Sequence, residues 1–87
     1  MGIEYQLVVP ELARTKVATA LAEQLAPLLQ RLDPKANEPF PNAYVEAIPE
    51  GLYVCDNLTD PVVAALIIRN LIDLLLLYSP EVQVVEP

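Results

Sequence analysis

The sequence predicts an α+β fold with the element order strand, helix, strand, strand, helix, strand, and three observations carry that prediction. Two segments, from Glu11 to Leu32 and from Pro61 to Tyr78, space their apolar residues three and four apart, the period of a helix packed on one side. Four shorter segments rich in Val, Ile and Tyr lie before, between and after them, the composition of strands. Prolines and turn residues fall at the junctions rather than inside these segments, with Pro27 as the exception.

The first strand is expected from Ile3 to Val9, where Ile-Glu-Tyr-Gln-Leu begins as an alternation of apolar and polar residues, and Pro10 ends it. The first helix then displays Ala13, Val17, Leu21, Leu25, Leu28 and Leu32 as one stripe. Pro27 removes one hydrogen bond, to the carbonyl of Glu23, but the stripe stays in phase on both sides, which predicts a kink rather than a break. Between Asp33 and Asn42 the prolines at 34, 39 and 41 exclude regular structure.

Ala43–Ile48 and Leu52–Cys55, separated by Pro49-Glu50-Gly51, read as a β-hairpin. A two-residue turn at Glu50-Gly51 would set Ile48 opposite Tyr53, Ala47 opposite Val54 and Glu46 opposite Cys55. After the polar connection Asp56–Asp60, Asp60 serves as N-cap and Pro61 as first residue of a second helix reaching Ser79, where Pro80 stops it. Glu81 to Glu86 alternates Val82 and Val84 with polar residues, a last strand.

This order is that of the ferredoxin-like fold, a four-stranded antiparallel sheet with both helices on one face. Leu7, Val45, Val54 and Val84 are expected to face the helices. Glu4, Gln6, Tyr44, Glu46, Ile48, Tyr53, Cys55, Glu81 and Gln83 are expected on the opposite face. The weakest element is the first: were Ile3–Val9 to lead directly into the helix, an irregular α+β fold would result. A chain of 87 residues forms one domain, residues 1–87, since two separate cores could not be buried at this size.

Composition excludes several kinds of chemistry. With no histidine there is no Ser-His-Asp or Cys-His system and no imidazole metal ligand. Gly2 and Gly51 are the only glycines, too few for a phosphate-binding loop. The single cysteine, Cys55, can form neither an intrachain disulfide nor a CxxC pair, so a cytoplasmic location is expected. The start MGIEYQLVVP has no basic segment followed by an apolar one, so no secretory signal is expected. A net charge of -7 argues against nucleic acid and against an anionic membrane surface.

The second helix is too short and too interrupted by Arg69, Asn70 and Asp73 to span a bilayer. Its apolar face is nevertheless unusually wide, and Leu66, Leu76 and Leu77 fall near its polar side, where a second molecule would bury them.

Other residue groups carry weaker chemical signals. Asp56, Asn57, Thr59 and Asp60 gather oxygens as a hard-cation loop does, but lack the glycine and distal glutamate of an EF-hand, and a turn with a helix cap uses the same residue types. Cys55 has no basic residue near it in sequence to lower its pKa and is expected to be a small strand residue. Arg69 and Asp73 at i,i+4 spacing are expected to pair on the surface. Glu46 and Glu81 could in principle form an acid/base pair across the sheet, but an open face with no pocket argues against catalysis there. Tyr44 and Tyr53 have the disposition of a base-stacking platform, but Glu4, Glu46 and Glu81 around them repel phosphate.

The expected function is therefore non-catalytic: a small interaction domain that associates with a protein, itself as a homodimer included, through Glu4, Gln6, Tyr44, Glu46, Ile48, Tyr53, Leu66, Leu76 and Leu77, with no cofactor and no metal. Two alternatives share this frame. One is a dimeric regulatory domain binding a small ligand; the other is an acidic inhibitor or immunity-type protein that caps a basic partner.

Overall fold

The computed structural model describes residues 2–86. Strand β1 spans Ile3–Val8, and after Pro10 a single 3-10 turn at Glu11–Ala13 leads into helix α1, Arg14–Leu32. The helical stripe thus begins as expected but its first turn is 3-10 rather than α. Helix α1 runs unbroken through Pro27. Strands β2 (Ala43–Ile48) and β3 (Gly51–Asp56) form the hairpin, helix α2 covers Pro61–Leu76, and β4 is a short strand at Gln83–Val85. Glu81, expected at the start of this last strand, lies outside it.

The strands form one sheet in the order β2-β3-β1-β4, and every neighbouring pair is antiparallel. The architecture is α+β, a four-stranded antiparallel sheet with two helices.

The hairpin turn is Pro49-Glu50, not Glu50-Gly51. Ile48 pairs with Gly51, Ala47 with Leu52, Glu46 with Tyr53, Val45 with Val54 and Tyr44 with Cys55. The expected register is displaced by two residues. Such a shift leaves every side chain on its expected face, so alternation cannot distinguish the two registers. What decides between them lies in β1. Gly51 sits at φ +152°, and a Cβ there would come within 2.0 Å of the Leu7 carbonyl oxygen. Only glycine permits that approach, so residue 51 joins the strand and leaves the turn to its neighbours.

One sheet face packs on both helices. Leu7, Leu52 and Val54 are completely buried and cluster with Val17 and Leu21 of α1 and with Ile67, Leu71, Leu74 and Leu75 of α2. Burying a side chain of this size contributes roughly 1.5–3 kcal/mol. Val84 lies on the expected face but is not sealed there. It pairs with Leu7 and so shares the helix-side face, yet it is half exposed, because β4 is an outer strand of three residues that the helices do not reach across.

Local chemistry explains the ends of α2. The Asp60 side chain accepts hydrogen bonds from the backbone N–H groups of Val62 and Val63, at 3.1 and 3.2 Å, and Pro61 occupies the first position. The helix ends at Leu76 and a turn through Leu77 and Tyr78 precedes Pro80, a little short of the expected end at Ser79.

The loop from 33 to 42 is tied down by a buried carboxylate. Asp33 accepts from the N–H of Lys35 at 2.9 Å, from the N–H of Asn42 at 2.9 Å and from its Nδ2 at 2.8 Å. Asn42 Oδ1 in turn accepts from the Thr59 hydroxyl, and Asn57 donates through Nδ2 to the carbonyl of Pro41. These bonds stitch the loop after α1 to the loop before α2, and among the described residues no buried side-chain nitrogen or oxygen lacks a partner.

Candidate functional site

The face of the sheet opposite the helices is built in rows by strand pairing. One row runs Glu4, Cys55, Tyr44 across β1, β3 and β2; the next runs Val85, Gln6, Tyr53, Glu46 across β4, β1, β3 and β2; the third runs Gln83, Val8, Gly51, Ile48. The residues Glu4, Gln6, Tyr44, Glu46, Ile48 and Tyr53 expected on this face are therefore brought together. Directly opposed and diagonal neighbours in adjacent strands are within side-chain reach.

Two diagonal contacts organise it. The Tyr53 hydroxyl donates a hydrogen bond to the Glu4 carboxylate, and the rings of Tyr44 and Tyr53 meet edge to face, with centroids 6.1 Å apart and planes inclined at 64°. The hydrogen bond to Glu4 is the main reason the Tyr53 hydroxyl ionises well above its ordinary value of 10; loss of water around the ring and the nearby carboxylate charge act in the same direction. At neutral pH the Tyr53 hydroxyl is protonated, as an ordinary phenol is, and serves as the donor to Glu4. The face presents two aromatic rings, Ile48 and the carboxylates of Glu4 and Glu46, and Gly51 leaves a low point between Val8 and Ile48.

Cys55 lies in the first row, half-buried between Glu4 and Tyr44, with its thiol 3.6 Å from Asn57 Oδ1. Glu46 and Glu81 are not brought together. β2 and β4 are the two edges of the sheet, and three strand spacings of about 4.8 Å place the edges about 14 Å apart. No shared proton can pass between these carboxylates.

Leu66 and Leu76 on α2, and Leu77 just past its end, lie elsewhere, in the helix layer, and are 52%, 46% and 73% exposed. Leu77 helps line an open groove of about 410 Å³ between the helices, with Pro27, Leu28, Arg31, Asn70 and Asp73. The nine residues expected to form an interface thus occupy two separate surfaces, with the sheet between them. Arg69 and Asp73 form the expected surface ion pair at 3.3 Å.

The cluster Asp56, Asn57, Thr59 and Asp60 is consumed by structure. Asp56 accepts from the N–H of Leu58 at 2.8 Å, which helps hold Leu58 at φ +61°, Asp60 caps α2, and Asn57 and Thr59 bind the loop of Pro41 and Asn42. Among the described residues, no group of three or more Cys, Asp or Glu side chains is placed to hold a metal ion, and no helix is long and apolar enough to cross a membrane.

Sequence reasoning missed Asp33 and Asn42. The signal for half of this was present, since Asp33 before Pro34 invites the side-chain turn that its bond to the N–H of Lys35 makes. The bond to Asn42 had no local signal.

Comparison of the chain with protein-family models, curated proteins and solved structures finds no match.

Proposed function

We propose that the protein is a non-catalytic, cytoplasmic association domain of ferredoxin-like architecture whose open sheet face is its contact surface. The strand order with β1 and β3 at the centre, the antiparallel pairing and the β-α-β-β-α-β chain order support the architecture. The observation that carries the function is the composition of that face: Tyr44, Tyr53 and Ile48 alternate with Glu4 and Glu46, and neither helix covers them. Aromatic centres with a polar rim are the composition of protein contact surfaces. The carboxylates select a partner that presents Lys or Arg beside apolar side chains, and the acidic net charge speeds its approach.

The test is differential capture. Immobilised wild-type protein and the double variant Glu4→Arg, Gln6→Arg are exposed to the same lysate at low and at physiological salt, with Leu77→Ser as a control on the helix layer. A protein retained by the wild type and by Leu77→Ser, released by salt and lost from the double variant is the expected result. Retention that is indifferent to the double variant, or no specific retention by the wild type, overturns the reading.

A further inference from the structure

Helix α2 is apolar on both of its sides. Ile67, Leu71, Leu74 and Leu75 are buried in the cluster shared with the sheet and α1. Val62, Leu66 and Leu76 leave the helix on the side away from that cluster, with Leu77 just past its end, and all four are exposed. A surface helix ordinarily turns polar residues outward, and a helix that is apolar all round is ordinarily covered all round. The outward residues also form a line. Val62, Leu66, Arg69, Asp73 and Leu76 follow one another at alternating spacings of four and three. At 3.6 residues per turn they fall within an arc of about 80°, along about 21 Å of helix. That alternation is the spacing of the seam between two packed helices.

The charges on this line say what covers it. Arg69 and Asp73 are the only charged residues of α2, both side chains are exposed, and they pair with each other. The seam therefore carries no net charge, in a chain whose net charge is -7. A basic partner drawn by that net charge finds no acidic surplus here. A second copy, repelled by the rest of the surface, finds none either, and it finds a matching pattern. Read about Leu71, the seam is the same in both directions, leucine then charge and charge then leucine, except that the sign of the charge is reversed.

We infer that the outward face of α2 packs against the same face of a second copy of this chain, antiparallel about a two-fold axis perpendicular to the helix at the level of Leu71. This goes beyond the reading of the open sheet face, which concerns a different surface. In this arrangement Arg69 is level with the partner's Asp73, and Asp73 with the partner's Arg69. Leu66 is level with the partner's Leu76 and beside the partner's Leu77. The four charges then alternate in sign across the seam. A parallel pair would instead set each charge beside its own kind. An antiparallel pair centred on Arg69, or on Asp73, would set that residue against itself, and like charges so placed are unfavourable. The pairing is self-complementary, so it closes at two copies.

The two kinds of residue do different work. Ion pairs this exposed contribute little affinity, so burial of the leucines drives association and the charges select the orientation. One helix crossing another covers less than the roughly 1,200 Å² of a stable standard interface, so the dimer is weak and concentration-dependent.

The experiment is molar mass by light scattering after size exclusion, across about a hundredfold range of concentration in about 0.15 M salt. The expected mass rises with concentration from 9.6 kDa towards twice that value. Arg69→Asp and Asp73→Arg each place like charges across the seam, and each is expected to stay at the monomer mass with an unchanged far-UV spectrum. One raises the net negative charge and the other lowers it, so bulk repulsion cannot account for both. An equal mixture of the two variants, one seam acidic and the other basic, is expected to recover the dimer. Leu66→Ser is expected to remain monomeric. A wild type that is monomeric throughout, single variants that dimerise as it does, or a mixture that stays monomeric overturns the inference. Orientation is read by oxidative cross-linking in a Cys55→Ala background. Helix axes 8–10 Å apart bring level seam residues within disulfide reach, so Leu66→Cys and Leu76→Cys chains are expected to link to each other. Linkage of Leu66→Cys to itself in preference, or no linkage, overturns the antiparallel register. None of these changes touches the open sheet face, so partner capture there and dimerisation here fail separately.

Discussion

Leu52 and Tyr53 are adjacent in β3, yet they live in different solvents. Leu52 points into the layer of helices and is completely buried, between Leu7 on one side and Ala47 on the other. Tyr53 points to the open face, where it holds the Glu4 carboxylate and meets the edge of the Tyr44 ring. One face of the sheet is a sealed hydrocarbon contact whose contribution scales with area removed from water. The other is a set of polar and aromatic groups satisfied among themselves, with area left over for a partner. Stability is concentrated on the first face, and freedom to recognise is left on the second.

Three consecutive residues of β3 test that division. Leu52→Ala leaves a cavity under both helices and is expected to cost about 3–5 kcal/mol, read as a fall in the denaturation midpoint with urea. A loss below about 1 kcal/mol would mean the helices collapse onto the gap and the inner face is less tightly specified than its burial indicates. Gly51→Ala is expected to cost about 2–3 kcal/mol, although its neighbours on the open face, Val8 and Ile48, are only half-buried. The added Cβ meets the Leu7 carbonyl at 2.0 Å, so either β1 moves or the hairpin turn shifts. Were it neutral, the hairpin would have slipped, and amide exchange of Tyr53 and Cys55 would show the new pairing.

The smallest effect belongs to Tyr53 itself. Glu4→Gln removes the carboxylate that holds the Tyr53 proton, so in a spectrophotometric titration one of the four tyrosines that ionises late in the wild type should ionise earlier in the variant. The sign is fixed by linkage. A hydroxyl whose folded pKa is raised contributes stability that is fully present below its ordinary pKa near 10 and is lost as pH climbs from there through the folded value. Between pH 6 and 8 wild type and variant should therefore show the same pH slope, with divergence confined to alkaline solution. A late tyrosine that survives Glu4→Gln would assign the effect to burial and detach it from the open face.

Much of this division was legible in the residues. The alternation Glu4-Tyr5-Gln6-Leu7 and Leu52-Tyr53-Val54-Cys55 assigned both faces, because side-chain direction in a strand has a period of two whatever the strand pairs with. What was not legible was the separation of Glu46 from Glu81 and the half-exposure of Val84 on the helix-side face. Both depend on which strands are outermost, and strand order is a property of the folded sheet.

The sequence by itself determined the elements and some of their ends: helical spacing in α1 and α2, the Asp60-Pro61 start of α2, the prolines at 10, 41, 49 and 80 that confine strands and helices. These are interactions between residues within a few positions of one another, and they are the same in any fold. The tertiary structure alone decided the turn at Pro49-Glu50, the Asp33–Asn42 link between loops, and the exposure of the β2 edge. Each rests on a group brought from far along the chain: the Leu7 carbonyl against Gly51, the buried carboxylate of Asp33 against the start of β2, and β3 taking the inward bonds of β2 while no group among the described residues bonds the outward ones of Val45 and Ala47.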